Sequence, residues 1–481
     1  MNRTALLAVL PLLLSGTAAF SAATEDGAAR LVEVFQTYLG ATEGVVSVEV
    51  DGDDYILTLD AAPLAAMAAE AGGSASLTPL VMTVTDNGDG TWGVVQDQSF
   101  SLAVAIPGEM ELKEDIGSLT SEGVFDEALM TFSSAKGEMS DIKVVQKISQ
   151  PGMEDVAVEA TIASGTFEMT GVASATGGVD GTFDVTMTGF NETFLTAAQK
   201  GMPAMPITVT ADSIGQIGKM EGLRPDAFYR TLAWFVAHPT TGAKEADKAA
   251  FKAILQEGMP FFGKVAADMT LTNVVATTPM GEFGIEEAKV TVEANGLVAD
   301  GKFREAFALT GLTLPTGVIP EWAVPILPQK ISIDFQVTDF DAAAAATVAL
   351  GLFDLPAGAE PDAAFQSNLL AALMPNKTVT IGLNPGGVSG DGYELTYEGT
   401  MVAGPEMPMP TGKALITLTG IDKLQAALDA APDDIKRQAM MGVGMAQGMA
   451  KTDENGALVW EIDASTPGSL SVNGTQMMGG N

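Results

Sequence analysis

The sequence predicts an α+β protein that is mostly strand, with large curved antiparallel sheets and amphipathic helices packed on one face. Three observations carry that expectation. Runs of alternating apolar residues follow one another from Val45 to Thr188, separated by Gly-rich turns and with few helical patterns between them. Such a succession favours hairpins and meanders over alternating βαβ units. DNGDG at Asp86–Gly90 then joins Pro79–Thr85 to Thr91–Gln96 as a hairpin. Finally, one local pattern recurs: a strand ending in Thr, then Gly or Asp, one apolar residue, and Asp, Asn or Thr. It reads ITLTGIDKLQAALDAAP from Ile416, VTMTGFNETFLTAAQ from Val185, FALTGLTLPTGVIPEWA from Phe307 and FQVTDFDAAAAATVALG from Phe335.

Three of these four copies are expected to run into a helix. Gly420 and Gly189 stand where the chain leaves the ladder, a place that suits a positive φ. Asp422, Asn191 and Asp341 then occupy the N-cap position, where a short oxygen side chain accepts from a free helix N–H and is worth about 1 kcal/mol. Asp422 with Gln425 reads as a capping box, and Phe190 with Leu195 as a hydrophobic staple. Ile421, Leu424 and Leu428 recur at helical spacing and pin the helix to the sheet. The copies are unevenly spaced, which excludes a solenoid. The unit is a packing device and carries no chemistry.

In chain order, Met1–Ala22 has the build of a secretory signal: Arg3, an apolar core at Ala5–Leu14 and small residues at Ser15–Ala22. Glu25–Leu39 reads as a helix closed by Gly40, and Val45–Val50 with Tyr55–Leu59 as two strands joined through DGDD. Pro63–Glu70 is an alanine-rich helix. Candidate strands follow at Phe100–Ile106, Val124–Ser134, Asp141–Ile148, Asp155–Ile162, Gly165–Thr170 and Gly181–Thr188. Pro225–His238 is a strong amphipathic helix with Phe228, Leu232 and Phe235 on one face, and Lys244–Gln256 is a second. Further strands are expected around Ala266–Ala276, Gly284–Glu293, Phe303–Thr310, Ile331–Thr338, Lys377–Leu383 and Tyr393–Val402, with helices at Pro361–Met374 and Pro432–Ala450. A hairpin around TPG joins Gly456–Asp463 to Ser469–Asn473. The organisation expected is a signal (1–22), a β-rich half (23–213), a helical insert (214–263) and a second β-rich half (264–481). The Met-Pro motifs GMPAMP and PEMPMP leave open two related halves.

Composition narrows the function classes. The chain has 61 acidic against 24 basic residues and no cysteine. That balance argues against nucleic acid, whose binding needs phosphates neutralised by Lys and Arg, and against charge-driven docking on anionic lipid. Export without cysteine fits the periplasm, and no later stretch is long and apolar enough for a transmembrane anchor. The lone histidine, His238, closes a helix where a cation is favoured, so neither a zinc site nor a Ser–His–Asp triad is expected. DGDD and DNGDG lack the ligand spacing of a calcium loop. No cofactor, metal or catalytic residue is assigned. Among 25 methionines, Met441, Met445 and Met449 repeat at i, i+4 spacing on one helix. They suit a packed core, a groove for an apolar ligand, or, more weakly without His or Cys, Cu(I).

At the C-terminal end, TLTGIDKLQAAL followed by GALVWEIDASTPGSLSVNG resembles the carboxyl end of a family of exported proteobacterial proteins with a domain of unknown function. The resemblance covers Lys413–Asn473 and, more weakly, Leu31–Thr58. It implies a secreted chain of about this length and carries over no catalytic residue. In architecture alone the chain is similar to envelope proteins whose long curved sheets hold lipids. The expectation is a non-enzymatic periplasmic protein that binds an apolar, lipid-like ligand or supports envelope maintenance. The rival is a structural or protein-interaction module with no small-molecule ligand.

Overall fold

A computed structural model describes residues 22–63, 65, 73–149, 156–196, 205–237, 245–356 and 359–479. The expected leader up to residue 21, most of the helix at Pro63–Glu70, residues 201–204 of the first Met-Pro motif and His238 lie outside the described residues.

The described chain opens with α1 (Glu25–Leu39) and the hairpin β1 (Val46–Asp51) and β2 (Asp54–Leu59). Two short strands, β3 (Ser74–Leu77) and β4 (Leu80–Asp86), lead into six long ones. These are β5 (Thr91–Ile106), β6 (Met110–Asp126), β7 (Thr131–Ile148), β8 (Val156–Ala173), β9 (Val179–Leu195) and β10 (Pro206–Leu223). Two helices follow, α2 (Pro225–Ala237) and α3 (Glu245–Gly258), and then β11 (Lys264–Thr278), β12 (Gly281–Asn295), β13 (Gly301–Thr310) and β14 (Lys330–Phe340). After α4 (Ala342–Ala349) and α5 (Ala363–Leu373) come β15 (Val379–Gly390), β16 (Tyr393–Ala403) and β17 (Thr411–Thr419). The chain closes with α6 (Ile421–Asp429), α7 (Asp433–Met449), β18 (Lys451–Thr452), β19 (Leu458–Asp463), β20 (Leu470–Val472) and β21 (Thr475–Met478).

All these strands form one antiparallel sheet that does not close. β1 pairs β2, β2 pairs β4, and β4 and β3 share the free flank of β5. From β5 to β17 each strand pairs the next, and β19, β20 and β21 extend the far end. The helical insert does not interrupt the sheet, because β10 and β11 pair beyond it in one register, constant on both sides of a two-residue gap.

The strands are longer than the sequence suggests. Asp155–Ile162 and Gly165–Thr170 read as two strands because the alternation breaks between them, yet β8 runs straight through. The break is a shift of phase. Along β8 the exposed positions are Glu159, Thr161 and Ala163, then Ser164, Thr166 and Glu168. β7 shifts at Asp141 and β9 near Gly189 in the same way. Laid side by side, the positions Gly117, Asp141, Ala163, Gly189, Asp212, Asn273 and Glu286 face one another across β6 to β12, and each falls in a gap of the pairing register. Gly311 ends the line just past β13. Every second member is left-handed: Asp141 (φ 54), Gly189 (φ 67), Asn273 (φ 50) and Gly311 (φ 68). Asp, Asn and Gly are the residues that take this region at least cost, and a Cβ on Gly189 would press against that of Ala163. The line is a transverse crease that keeps apolar side chains on one face of every strand it crosses.

Two faces of opposite chemistry result. On the polar face, hydroxyls pair across strands, as in Ser164–Thr188 (2.7 Å), Thr170–Thr182 (2.7 Å) and Ser213–Thr272 (2.6 Å). On the apolar face the register lines up Leu271, Ala288, Leu309, Ile331, Val388, Leu395, Leu418 and Leu458, one from each of eight adjacent strands. At about 4.8 Å per strand that row is about 34 Å long.

α1 covers only the first end of this face. Its Ala28, Leu31, Val32, Phe35 and Leu39 pack on Val46, Tyr55, Leu57 and Val84, and its cap, Thr24 Oγ1, accepts from Gly27 N (3.0 Å). The same helix reaches α2, Tyr38 lying 5.4 Å from Tyr229 between ring centres. Flat, the nine strands from β1 to β10 would hold these elements about 38 Å apart. The strip therefore curls toward its apolar face, around α1.

The recurrent unit is settled copy by copy. Asp341 is an N-cap, its Oδ1 accepting from Ala344 N (2.7 Å) ahead of α4. Asp422 is not: the cap position is Gly420 and Asp422 lies inside the first turn of α6. Gln425 does not complete a capping box there, and its amide meets Gln447 instead (3.0 Å). Asn191 caps nothing, because it lies inside β9 opposite Thr210 and Thr161, with Phe190 and Leu195 in the same strand. The ladder satisfies its backbone more fully than a new helix start would.

Candidate functional site

The apolar face is the one large surface without a polar explanation. Between α1 and the far end, where Leu418 and Leu458 are buried, its side chains are only partly covered. Met269, Val290, Phe307 and Ile333 are direct cross-strand partners on β11 to β14, and three of them, Met269, Phe307 and Ile333, are 37–48% exposed. Only seventeen apolar side chains count as buried among the described residues, and none of them is a large group fully withdrawn from solvent. The chain exposes 28291 Å², where a compact protein of this mass would expose about 17,000 Å². Giving each residue outside the description the roughly 150 Å² of an extended one removes about 8,000 Å² at most. The remaining excess belongs to a sheet of one layer with both faces open.

The polar face holds the most tightly built electrostatic group. Arg304 on β13 donates from Nε and Nη2 to both oxygens of Asp334 (3.1 and 2.7 Å) and from Nη1 to Glu293 Oε1 (2.6 Å). Asn384 Nδ2 adds a bond to Asp334 (2.7 Å). The guanidinium holds both Asp334 and Glu293 below the usual carboxylate range, against the opposing effect of partial burial. Lys302 Nζ, 3.4 Å from Glu293 Oε2, supplies a second cation, so the two carboxylates face two cations in a cross-strand staple across β12–β15.

Two open troughs also lie on the polar face. One, of about 660 Å³, runs over Thr120, Glu122, Lys136, Glu138, Thr166 and Glu168. The other, of about 1000 Å³, runs over Asn384, Glu398, Lys413, Lys451, Glu461 and Asp463. Their lysines are committed to Glu122 (2.8 Å), Asp463 (3.0 Å) and Glu461 (2.8 Å). Asp463 is held down at about 2, chiefly by the Ser465 side chain and backbone, with Lys413 adding to it. Among the described residues, no group of three or more His, Asp or Glu is placed to hold a metal ion.

Met441, Met445 and Met449 lie on α7. Met441 and Met445 are 67% and 65% exposed, and Met449 is half-buried. α7 meets the sheet elsewhere, the Ala446 carbonyl accepting from Trp460 Nε1 (2.9 Å) and that of Met449 from Asn473 Nδ2 (2.7 Å). The packed-core reading therefore fails for Met441 and Met445. The residues missed from sequence are Met269, Phe307 and Ile333. Their alternation was visible in the strands, but their openness depends on what does not pack above them.

The fold and face together define a class: an open, single-layered antiparallel sheet, apolar on one side and polar on the other, with helices along its rim. Among the described residues no helix is long and apolar enough to cross a membrane. Neither a family model, nor a curated protein, nor a solved structure matches the chain.

Proposed function

We propose that the chain is a non-enzymatic protein of the periplasm that binds or shields an apolar, lipid-like ligand along the apolar face of its sheet. The observation that carries this is the row Met269–Val290–Phe307–Ile333, directly paired across four strands and half open to solvent. Contiguous apolar surface of this kind mostly marks a binding region. About a dozen buried methylenes would contribute about 10 kcal/mol gross, and association costs of similar size leave affinities in the micromolar range or weaker. Export rests on the build of Met1–Ala22 and on the likeness of Lys413–Asn473 to exported proteins. Titration with a fluorescent fatty acid is the test. The parent should bind, and Phe307→Asp with Ile333→Asp should lose binding while keeping the melting temperature within a few degrees. A folded parent that leaves the probe in water removes this reading.

One observation favours the rival role as a protein-interaction module. Among the described residues β1 and β21 each pair on one side only, and an open strand edge accepts a partner strand. Mass spectrometry of material copurified from native membranes separates the two, by lipid in one case and by a stoichiometric protein in the other.

A further inference from the structure

The face of α2 carrying Phe228, Leu232 and Phe235 is the one the sequence marks for burial, yet these three side chains are 45–53% exposed. They follow i, i+4, i+7 spacing, so they form one stripe along the helix. The stripe is held stiffly from behind. Phe228 rests edge-on against Phe261 (5.7 Å), Phe235 against Phe251 (5.3 Å), and Trp234 stacks on Phe251 (4.2 Å). α2 starts just past the end of β10 and α3 ends just before β11, so the pair stands at the rim of the sheet.

A second, independent feature marks the same place. From Arg224 to Gly258 the chain carries five basic and four acidic residues, whereas the whole chain carries 24 and 61. The acidic excess of the chain as a whole does not extend to this segment. A second copy of the chain is a poor fit for the stripe: three half-exposed large side chains offer about 300 Å², well under the about 800 Å² per partner of a stable interface.

We propose that the α2–α3 pair is a membrane-docking surface, with α2 lying along a phospholipid bilayer and Phe228, Leu232 and Phe235 inserted at the boundary between headgroups and acyl chains. The aromatic and leucine stripe is the apolar side of a helix that lies on a membrane without crossing it; the flank here is near-neutral, so apolar insertion and not charge would carry the binding. The proposal goes beyond ligand binding on the sheet and stands on different residues.

The absence of cysteine allows a clean experiment on the full chain. Leu232→Cys carries a polarity-sensitive fluorophore, and Met445→Cys, at a still more exposed position on α7, carries the same fluorophore as control. With phosphatidylcholine vesicles the Leu232 label should shift to the blue and the Met445 label should not. Adding phosphatidylglycerol should change the partition by no more than a few-fold, since the rest of the molecule is acidic. In cosedimentation of unlabelled protein, Leu232→Asp should lower partition at least tenfold. Phe228→Ser with Phe235→Ser should do the same at an unchanged melting temperature. A Leu232 label indifferent to vesicles overturns the proposal, as do equal shifts at both labels or a shift driven by protein concentration alone. A steep rise with anionic lipid also overturns it, in favour of charge. Fatty-acid binding to the sheet is measured separately, so either reading can fail while the other stands.

Discussion

At Asp341 a carboxylate oxygen closes the first turn of α4, whereas α6 starts after the left-handed Gly420 with no side-chain cap bond. Two sequences that look alike thus start their helices by different means. In both copies the residue after the Thr is left-handed, Asp339 (φ 66) and Gly420 (φ 69). After Gly420 the helix starts at once, two residues earlier, and Asp422 is carried into it; a Cβ at Gly420 would run into the carbonyl of Gly392. Asp341→Ala should lower stability by about 0.5–2 kcal/mol through the lost cap. Asp422→Ala should lower it by only about 0.3–1 kcal/mol, the value of a charge near a helix N-terminus. Urea unfolding of the two variants decides the matter, and equal losses would show that Asp422 caps after all.

Along the strands, the crease is the feature on which shape depends. Asn273 combines a left-handed backbone with a bond from its Nδ2 to Asp212 Oδ2 (2.7 Å). Asn273→Val should cost about 1–2 kcal/mol for the backbone alone, whereas Asn273→Gly should lose no more than the side-chain bond, about 1 kcal/mol. Similar denaturant midpoints for the two variants would mean that the crease is not held by this residue. A different signature belongs to the Arg304 staple. Asp334 and Glu293 titrate lower in the fold than in the unfolded chain, so they add stability above about pH 4 and lose it as pH falls through their folded values. Arg304→Met should therefore cost about 1–3 kcal/mol at neutral pH, and the gap to the parent should narrow steadily below pH 4. A gap that stays constant down to pH 2 would exclude these carboxylates as the cause.

For the molecule as a whole, the formal charge of −37 is spread over a sheet with little interior to oppose it. Repulsion between exposed carboxylates is screened over about 10 Å at 0.1 M salt and about 3 Å at 1 M. The melting temperature should accordingly rise between low and high sodium chloride. A fall would mean that surface pairs such as Lys136–Glu122 outweigh the repulsion, against their usual small value. Much of this architecture is legible in the sequence. Alternation determined that the chain is a meander of antiparallel strands and which side of each strand is apolar. Helical periodicity with terminal Gly or Pro determined α1, α2 and α7, and Asp341 announced α4. Other features depended on tertiary structure. Asn191 and Gly189 carry the same local signals as a helix start, and only the neighbouring strands made them a crease. Phe228, Leu232, Met441 and Met445 sit on regular helices, and they stay open because no described segment packs over them. A sequence states which face a segment prefers to bury. Whether that face is buried depends on distant segments arriving above it, and over most of this sheet no described segment does.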